Sequence, residues 1–491
     1  MELVLALDAG TTGVRTVAFD ATATLRDTSY RELTQHFPRP GEVEHDAREI
    51  AALCSETLRD VAQRAQVNGD DIVALGITNQ RETTVAFDRQ TGRLPHRAIV
   101  WQDRRTATYC DELDARGETP AVRSTTGLVL DSYFSATKMR WFLDAGHMDD
   151  LRAPSFATVD SWLVWWLTGG VEGGLFATEP SNASRTMLMD LGDLRWSATM
   201  TTLFGIDPAM LATIQPSLSS FGVVSKDVVP ELAGVPITGI LGDQQAALFG
   251  QACFRPGIVK ATYGTGAFIL ANVGEKNPGV FDGLITTLAW DLGDVAPPSY
   301  AVEGSAFVAG AAVQWLRDEM GFISESSQLE ALAESVPDSA GVQFVPAFTG
   351  LGSPFWRSDA RGSITGLSRG VGRGQIARAL VEALAYQVRA MTDAFDDGGI
   401  TLHELRADGG AASMDLLMQL QADNSRLNVL RSTSLEATAR GAATIAGLGA
   451  GVWSSLDELI TLWTFDRKFE PADPLFVDLG YAAWRRALER A

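Results

Sequence analysis

Residues 3–20, LVLALDAGTTGVRTVAFD, decide how this chain is read. An apolar run from Leu3 to Leu7 ends in Asp8, Gly10-Thr11-Thr12-Gly13 makes a turn, and a second alternating run carries Arg15 to Phe19. The pattern is that of a β-hairpin whose turn holds hydroxyls and amides where Asn-Gly is usual. Such a turn can aim several N–H and O–H donors at one anion, with a carboxylate beside it to hold a cation. The arrangement returns at residues 257–274, GIVKATYGTGAFILANVG, with Gly264-Thr265-Gly266 at the turn. Two such hairpins suggest two related halves facing one polyphosphate. Two ordinary, unrelated hairpins are the alternative.

Outward from these stretches, the chain has 491 residues, room for two to four domains at ~150 residues each. It is 46% hydrophobic and 21% charged, with 12 Trp and 22 Phe, enough apolar surface for a large core. A net charge of −21 argues against nucleic acid or an anionic membrane as the main partner, and means that an anionic substrate needs local Arg or metal. Of the 40 basic residues only five are Lys (138, 226, 260, 276 and 468). Cys54, Cys110 and Cys253 form no CxxC and read as buried free thiols of a reducing compartment. Met1-Glu2 runs straight into a strand with no basic leader, and the apolar runs 304–316 and 441–456 fall short of the ~20 residues that span a bilayer. The expectation is a soluble, cytoplasmic protein.

After the first hairpin, residues 29–37 read as a third strand. A helix then starts with Asp46 and Glu49 in capping-box spacing. Residues 71–77 and 83–88 read as further strands. Three meander strands, a helix and a strand fit a mixed sheet with helices packed on it, an α/β class. Residues 101–200, rich in Trp and loops, look like an elaboration that walls a pocket. A strand at 235–241 ends at Gly242-Asp243, where a helix begins. The domain boundary is expected near residue 250, giving 1–250 and 251–491. The second half shows strands around 284–290 and 299–303, then helices at 307–318, at 374–396 and after Ser413.

Common phosphate motifs are missing: there is no GxxxxGK[ST] and no strand–GxGxxG–helix unit at the start. Gly447, Gly449 and Gly451 fall in an Ala/Gly-rich helical stretch and read as helix packing or a helix end. Asp243 sits at the carboxyl end of a strand, either as a helix cap or as a site carboxylate. Arg81-Glu82 follow another strand end. A guanidinium and a carboxylate together can grip neighbouring hydroxyls of a polyol; a surface salt bridge is the equal alternative. Gly409-Gly410 stand between a strand and a helix, where they either let a flat ligand approach or simply end a helix.

As a set, the strings DAGTTGVR, QHFPRPGEVEHD, GITNQRETT, WQDRRT, SYFSATKMRW, GDQQAALFGQACF, TYGTGAF, AGAAVQWLRDEM, FVPAFTGLGSPFW and the DGG at 408 resemble the glycerol kinases of the FGGY carbohydrate-kinase family, almost end to end. The resemblance implies two ribonuclease-H-like domains of the actin/hexokinase superfamily with ATP in the cleft between them. It also implies transfer of a phosphoryl group to glycerol. Motif by motif, it places glycerol on Arg81, Glu82, Tyr133, Asp243 and Gln244, with Trp101 and Phe268 against the carbon backbone. Thr11, Thr12, Gly13, Arg15 and Thr265 would meet the phosphates, and Gly310, Gln314 and the Gly410 loop the nucleoside. Asp8 and Asp243 would hold Mg²⁺, and Asp243 with Arg15 would carry catalysis. A homo-oligomer, dimer or tetramer, is the family's pattern.

Met414 stands where the family usually has an Asn at the adenine end, so base selection is expected to be weaker. Ala9 and Gly13-Val14 replace a Gln and a Ser pair on the phosphate side. The stretch SSFGVVSKDVVPELAG lacks the Gly-Lys-rich loop that binds fructose 1,6-bisphosphate in some relatives, and no His lies between His147 and His403 to be phosphorylated, so neither control is expected. The rival readings are an FGGY kinase for a larger polyol or sugar and an actin-like nucleotide scaffold. The second has no use for a polyol-gripping set beside Asp243.

Overall fold

In a computed structural model of the chain, residues 1–434, 436–472 and 474–491 are described. The first hairpin forms as its pattern predicts. Strands β1 (Glu2–Ala9) and β2 (Gly13–Asp20) pair antiparallel, with Asp8 opposite Arg15. β1 is apolar on successive residues because it is covered on both faces. A third strand, β3 (Leu25–Glu32), completes the meander. It starts and ends earlier than the expected 29–37, because Thr34 leaves the sheet to donate through its N–H and hydroxyl to Glu49 of the first helix, α1 (Ala47–Asn68). That same contact undoes half of the expected capping box. Asp46 caps the Arg48 and Glu49 N–H groups, but Glu49 turns to Thr34 rather than back to the cap.

Strands β4 (Asp71–Asn79) and β5 (Ile237–Gly242) add parallel to β1, in the order β5-β4-β1-β2-β3. The 83–88 segment does not join this sheet. Residues Val85–Asp88 pair instead with Pro154–Ala157 in the elaboration that follows, which also carries helix α2 (Ser135–Asp144).

The second hairpin repeats the plan. Strands β6 (Ile258–Tyr263) and β7 (Ala267–Gly274) are antiparallel, followed by β8 (Ile285–Trp290) and β9 (Ser299–Ala306). β10 (Glu404–Asp408) lies parallel to β6, and β11 (Asn428–Ser432) parallel to β10, with β12 (Phe465–Phe469) at the edge. The order is β8-β9-β7-β6-β10-β11-β12. Both sheets therefore hold an antiparallel hairpin whose first strand is extended by two parallel strands.

Helices α3 (Asp243–Gly250), α4 (Gly310–Asp318), α5 (Arg373–Asp397), α6 (Asp415–Ser425) and α7 (Ala437–Gly449) pack on these sheets. α7 lies so close to β5 that a Cβ on Gly239 would stand 2.7 Å from Ile445 Cγ2. Gly447 likewise faces Trp453 with no room for a side chain, as the packing reading of the 447–451 glycines expects. Trp162 and Trp165 are buried core. Among the described residues no helix is long and apolar enough to cross a membrane.

Candidate active site

The parallel arrangement brings three strand ends together: Asp8 closes β1, Arg81-Glu82 follow β4, and Asp243 follows β5. Carboxyl ends of parallel strands are where open α/β sheets place ligands. Asp243 is not the cap of α3. Gly242 occupies that position, and Asp243 is the first helical residue, its side chain 32% exposed.

Arg81, Glu82, Trp101, Tyr133, Asp243, Gln244 and Phe268 line one cavity of about 40 Å³. The seven residues that the resemblance assigns to glycerol thus line a single cavity. Arg81 Nε lies 3.0 Å from Asp243 Oδ1, and its Nη1 lies 2.7 Å from Glu303 and 3.1 Å from Gln245 Oε1. Glu82 accepts from Arg185 Nε at 2.6 Å, and Arg185 Nη2 reaches Glu303 at 2.9 Å. Arg81, Glu82, Arg185 and Glu303 are all buried. Two guanidinium and two carboxylate groups alternate, so each charge is compensated where water is absent. Burial would raise the Glu303 carboxyl, but Arg185 and Arg81 overcome it and hold it at about 2. Burial raises Glu82 despite the same two arginines. A buried ionic net is a poor source of stability, since desolvation offsets its attraction. Its effect here is to fix the direction of Arg81 and Glu82. Glu82 adds backbone strain to this: its φ of +61° is a left-handed conformation that costs a residue with a Cβ roughly 1–2 kcal/mol.

The aromatic walls are equally constrained. The Trp101 and Tyr133 rings meet edge to face at 5.6 Å, and the Arg185 guanidinium covers Tyr133 and Phe134. That stacking accounts for the Arg185 Nη1 atom, which is buried without a hydrogen-bond partner. Trp101 Nε1 donates to Thr11 Oγ1 at 2.9 Å, so this cavity adjoins the first Gly/Thr turn.

Side chains behind that turn hold it in place. Gln80 donates to the Gly10 carbonyl at 3.0 Å and Gln35 to the Thr11 carbonyl at 2.7 Å, and His45 joins the two glutamines. Among the described residues, the N–H groups of Thr11 and Thr12 donate to no protein acceptor, which leaves them free for an anion. Arg15 is shared between Asp8 at 2.9 Å and Glu436 at 2.5 Å, so a phosphate must draw it from Glu436. Burial raises the Asp8 carboxyl, Arg15 lowers it, and the charge of Asp243 raises it again. Two mutually repelling carboxylates beside free anion donors fit a hard divalent cation such as Mg²⁺, which takes one or two carboxylates with phosphate and water.

The second turn borders a larger cavity of about 510 Å³, where Thr265, Gly310, Gln314, Gly410 and Met414 all line the wall. Here backbone does the holding. The Gly310 N–H donates to Gly264 O at 2.9 Å, and Ala309 and Ala311 donate to Thr265 O at 2.8 and 3.1 Å. The two loop glycines serve different ends. Gly409, at φ +87°, lies against the Tyr263 backbone, 2.6 Å from where its Cβ would be, whereas a Cβ on Gly410 meets open space. Arg185 and Glu303 escaped the sequence reading. Glu303 left one trace, the only charged residue in its strand SYAVEGSA, and Arg185 left none.

Residues 3–250 match the N-terminal domain, and residues 259–450 the C-terminal domain, of the FGGY family of carbohydrate kinases. The chain belongs to this family, and its fold is the family's two-domain α/β fold of the actin/hexokinase type. Its relatives narrow the class. It is 49% identical to a glycerol kinase of Bordetella parapertussis, covering 99% of this chain and 97% of the relative. It is 46% identical to a glycerol kinase of Carboxydothermus hydrogenoformans, covering 99% and 98%. A crystal structure of Plasmodium falciparum glycerol kinase with ADP superposes with a TM-score of 0.93 at 36% identity, covering 100% of this chain and 98% of that one. A xylulose kinase from Rhodospirillum rubrum shares the fold, with a TM-score of 0.87 at 24% identity, covering 99% and 98%.

Proposed function

We propose that the chain transfers the γ-phosphoryl group of ATP to a terminal hydroxyl of glycerol, giving sn-glycerol 3-phosphate. The observation that carries this reading is the 40 Å³ cavity with Asp243 in its wall. It is small and sets hydrogen-bond donors and acceptors beside two aromatic rings, which suits a short polyol. Arg81 and Gln244 donate to the hydroxyls, Glu82 accepts from them, and Tyr133 can do either, while Trp101 and Phe268 close on the carbons.

Phosphoryl transfer asks for in-line placement and charge neutralisation more than for covalent help. Asp243 accepts the proton of the attacking hydroxyl while Arg81, 3.0 Å away, orients the carboxylate. Asp8 and Asp243 would hold a magnesium ion, which when bound would neutralise phosphate charge. Thr11, Thr12, Gly13, Arg15 and Thr265 bind phosphate oxygens from the two turns. Gly310, Gln314, Gly410 and Met414 frame the nucleoside. We take residues 1–250 and 251–491 as the two domains, and the protein as a cytoplasmic homo-oligomer, dimer or tetramer.

Phosphorus NMR of a reaction with ATP, Mg²⁺ and glycerol tests the reaction. A phosphomonoester signal of sn-glycerol 3-phosphate matching the ADP formed is expected. ADP accompanied only by inorganic phosphate would refute the transfer.

A further inference from the structure

Lysine is scarce in this chain, yet two of its five lysines are fully buried, and both stand behind the polyol cavity. Lys138, on α2, donates to the carbonyl oxygens of Tyr133 at 2.6 Å and Phe134 at 3.2 Å. Lys260, on β6, donates to Gln244 Oε1, to Thr262 Oγ1 at 3.0 Å and to the Phe268 carbonyl at 3.4 Å. Its three ammonium protons are thus all used, two of them on residues that line the cavity. All three of these acceptors are uncharged oxygens. The charged groups that face it are Asp408 at the end of β10, Asp243 on α3, Glu303 on β9 and Arg81 beyond β4.

An unpaired ammonium is costly to bury, and a methionine would fill the same space without that cost. A lysine also has no acceptor, so the Gln244 amide must present its oxygen to Lys260 and turn its NH₂ the other way. Gln244 lines the cavity, so the NH₂ is the group left to meet a hydroxyl. We infer that Lys260 is a positioning residue of the polyol cavity: it locks the Gln244 amide with its donor toward substrate and pins the backbone of Phe268 on the opposite wall. Burial holds its own ammonium down to about 8, against Asp408, Asp243 and Glu303, which favour the charge. The inference rests on the glycerol reading of this cavity.

The test compares Lys260→Met, Gln244→Leu and the double variant for glycerol KM, ATP KM, kcat and Tm. Each single change is expected to raise glycerol KM about tenfold, the loss of one hydrogen bond of this kind, with ATP KM within about twofold. The double variant is expected to be no worse than the poorer single, because both act through one amide. Glycerol KM unchanged in Lys260→Met, or a double effect equal to the product of the two, overturns the inference. If Lys260→Met does not fold, Gln244→Glu carries the test. A carboxylate facing Lys260 should leave Tm intact while raising glycerol KM, and a large fall in Tm would contradict the lysine contact. Wild-type protein that turns over no glycerol would sink the parent reading instead, and this one with it.

Discussion

The two cavities are built by opposite means. The small cavity, which we propose for the polyol, is walled by charged and aromatic side chains whose partners lie far away in sequence, Arg81 on Glu303 and Arg185 on Glu82. The larger cavity takes its shape from backbone, with the Gly264-Thr265 turn tied to the start of α4 and Gly409 pressed on Tyr263. A small polyol is recognised by directional hydrogen bonds, so its donors and acceptors must not rotate. A polyphosphate with a flat base asks for N–H groups and room. A wall of charges should therefore be vulnerable to deleted charge, and a wall of backbone to added volume.

The largest effect is expected at the centre of the charged wall. Asp243→Asn keeps shape and removes the proposed base, and kcat should fall about 10³-fold while glycerol still binds by calorimetry. Next, Glu303→Gln deletes a charge 2.7 Å from Arg81 without touching substrate. Steady-state kinetics should show glycerol kcat/KM down about 10²-fold and ATP KM little changed. An equal rise in ATP KM would erase the distinction between the cavities.

The mirror experiment adds volume and no charge. A Cβ on Gly310 would lie 2.5 Å from the Gly264 carbonyl, so Gly310→Ala must displace the second turn. ATP KM should rise about tenfold with glycerol KM preserved. A smaller effect is expected at Met414, buried at the cavity edge. A thioether packs on a base but offers none of an amide's hydrogen bonds, so Met414→Asn should shift the ATP-to-GTP ratio of kcat/KM a few-fold toward ATP. No change in that ratio would remove Met414 from base selection.

The smallest effect at neutral pH concerns His45, under the first turn. Its Nε2 donates to Gln35 and its Nδ1 accepts from Gln80, so the folded state has no place for a second ring proton. Burial, and then His36, hold it down to about 4 from 6.5. Below 6.5 the unfolded chain takes up a proton that the folded chain refuses, so stability falls as pH drops from 6.5 toward 4, by about 3 kcal/mol over that window. Thermal melts should show a flatter acid limb in His45→Gln.

The same contrast explains what could be read from the sequence. The hairpins, the parallel strands and the cavity-lining strings are local patterns, in which turn glycines, alternation and strand-end charges sit within a few residues of one another. Arg185 and Glu303 are held chiefly by each other and by Arg81 and Glu82, more than a hundred residues from Arg185 and more than two hundred from Glu303. No spacing records such a net. The third strand was misplaced for a related reason: Thr34 has good strand propensity, but Glu49 of α1 captures it. A strand end before a helix leaves Asp243 open to a cap or a site role, and its backbone position inside α3, with Arg81 on its carboxylate, removes the first option.

The size and charge of the polyol cavity are the centre of the account, and initial rates of ADP release over a panel of acceptors test them most directly. With glycerol, erythritol, xylulose and no acceptor compared at fixed ATP and Mg²⁺, glycerol should give a kcat/KM at least about 10²-fold above the others. Equal or faster release with the larger acceptors, or with none, would contradict it.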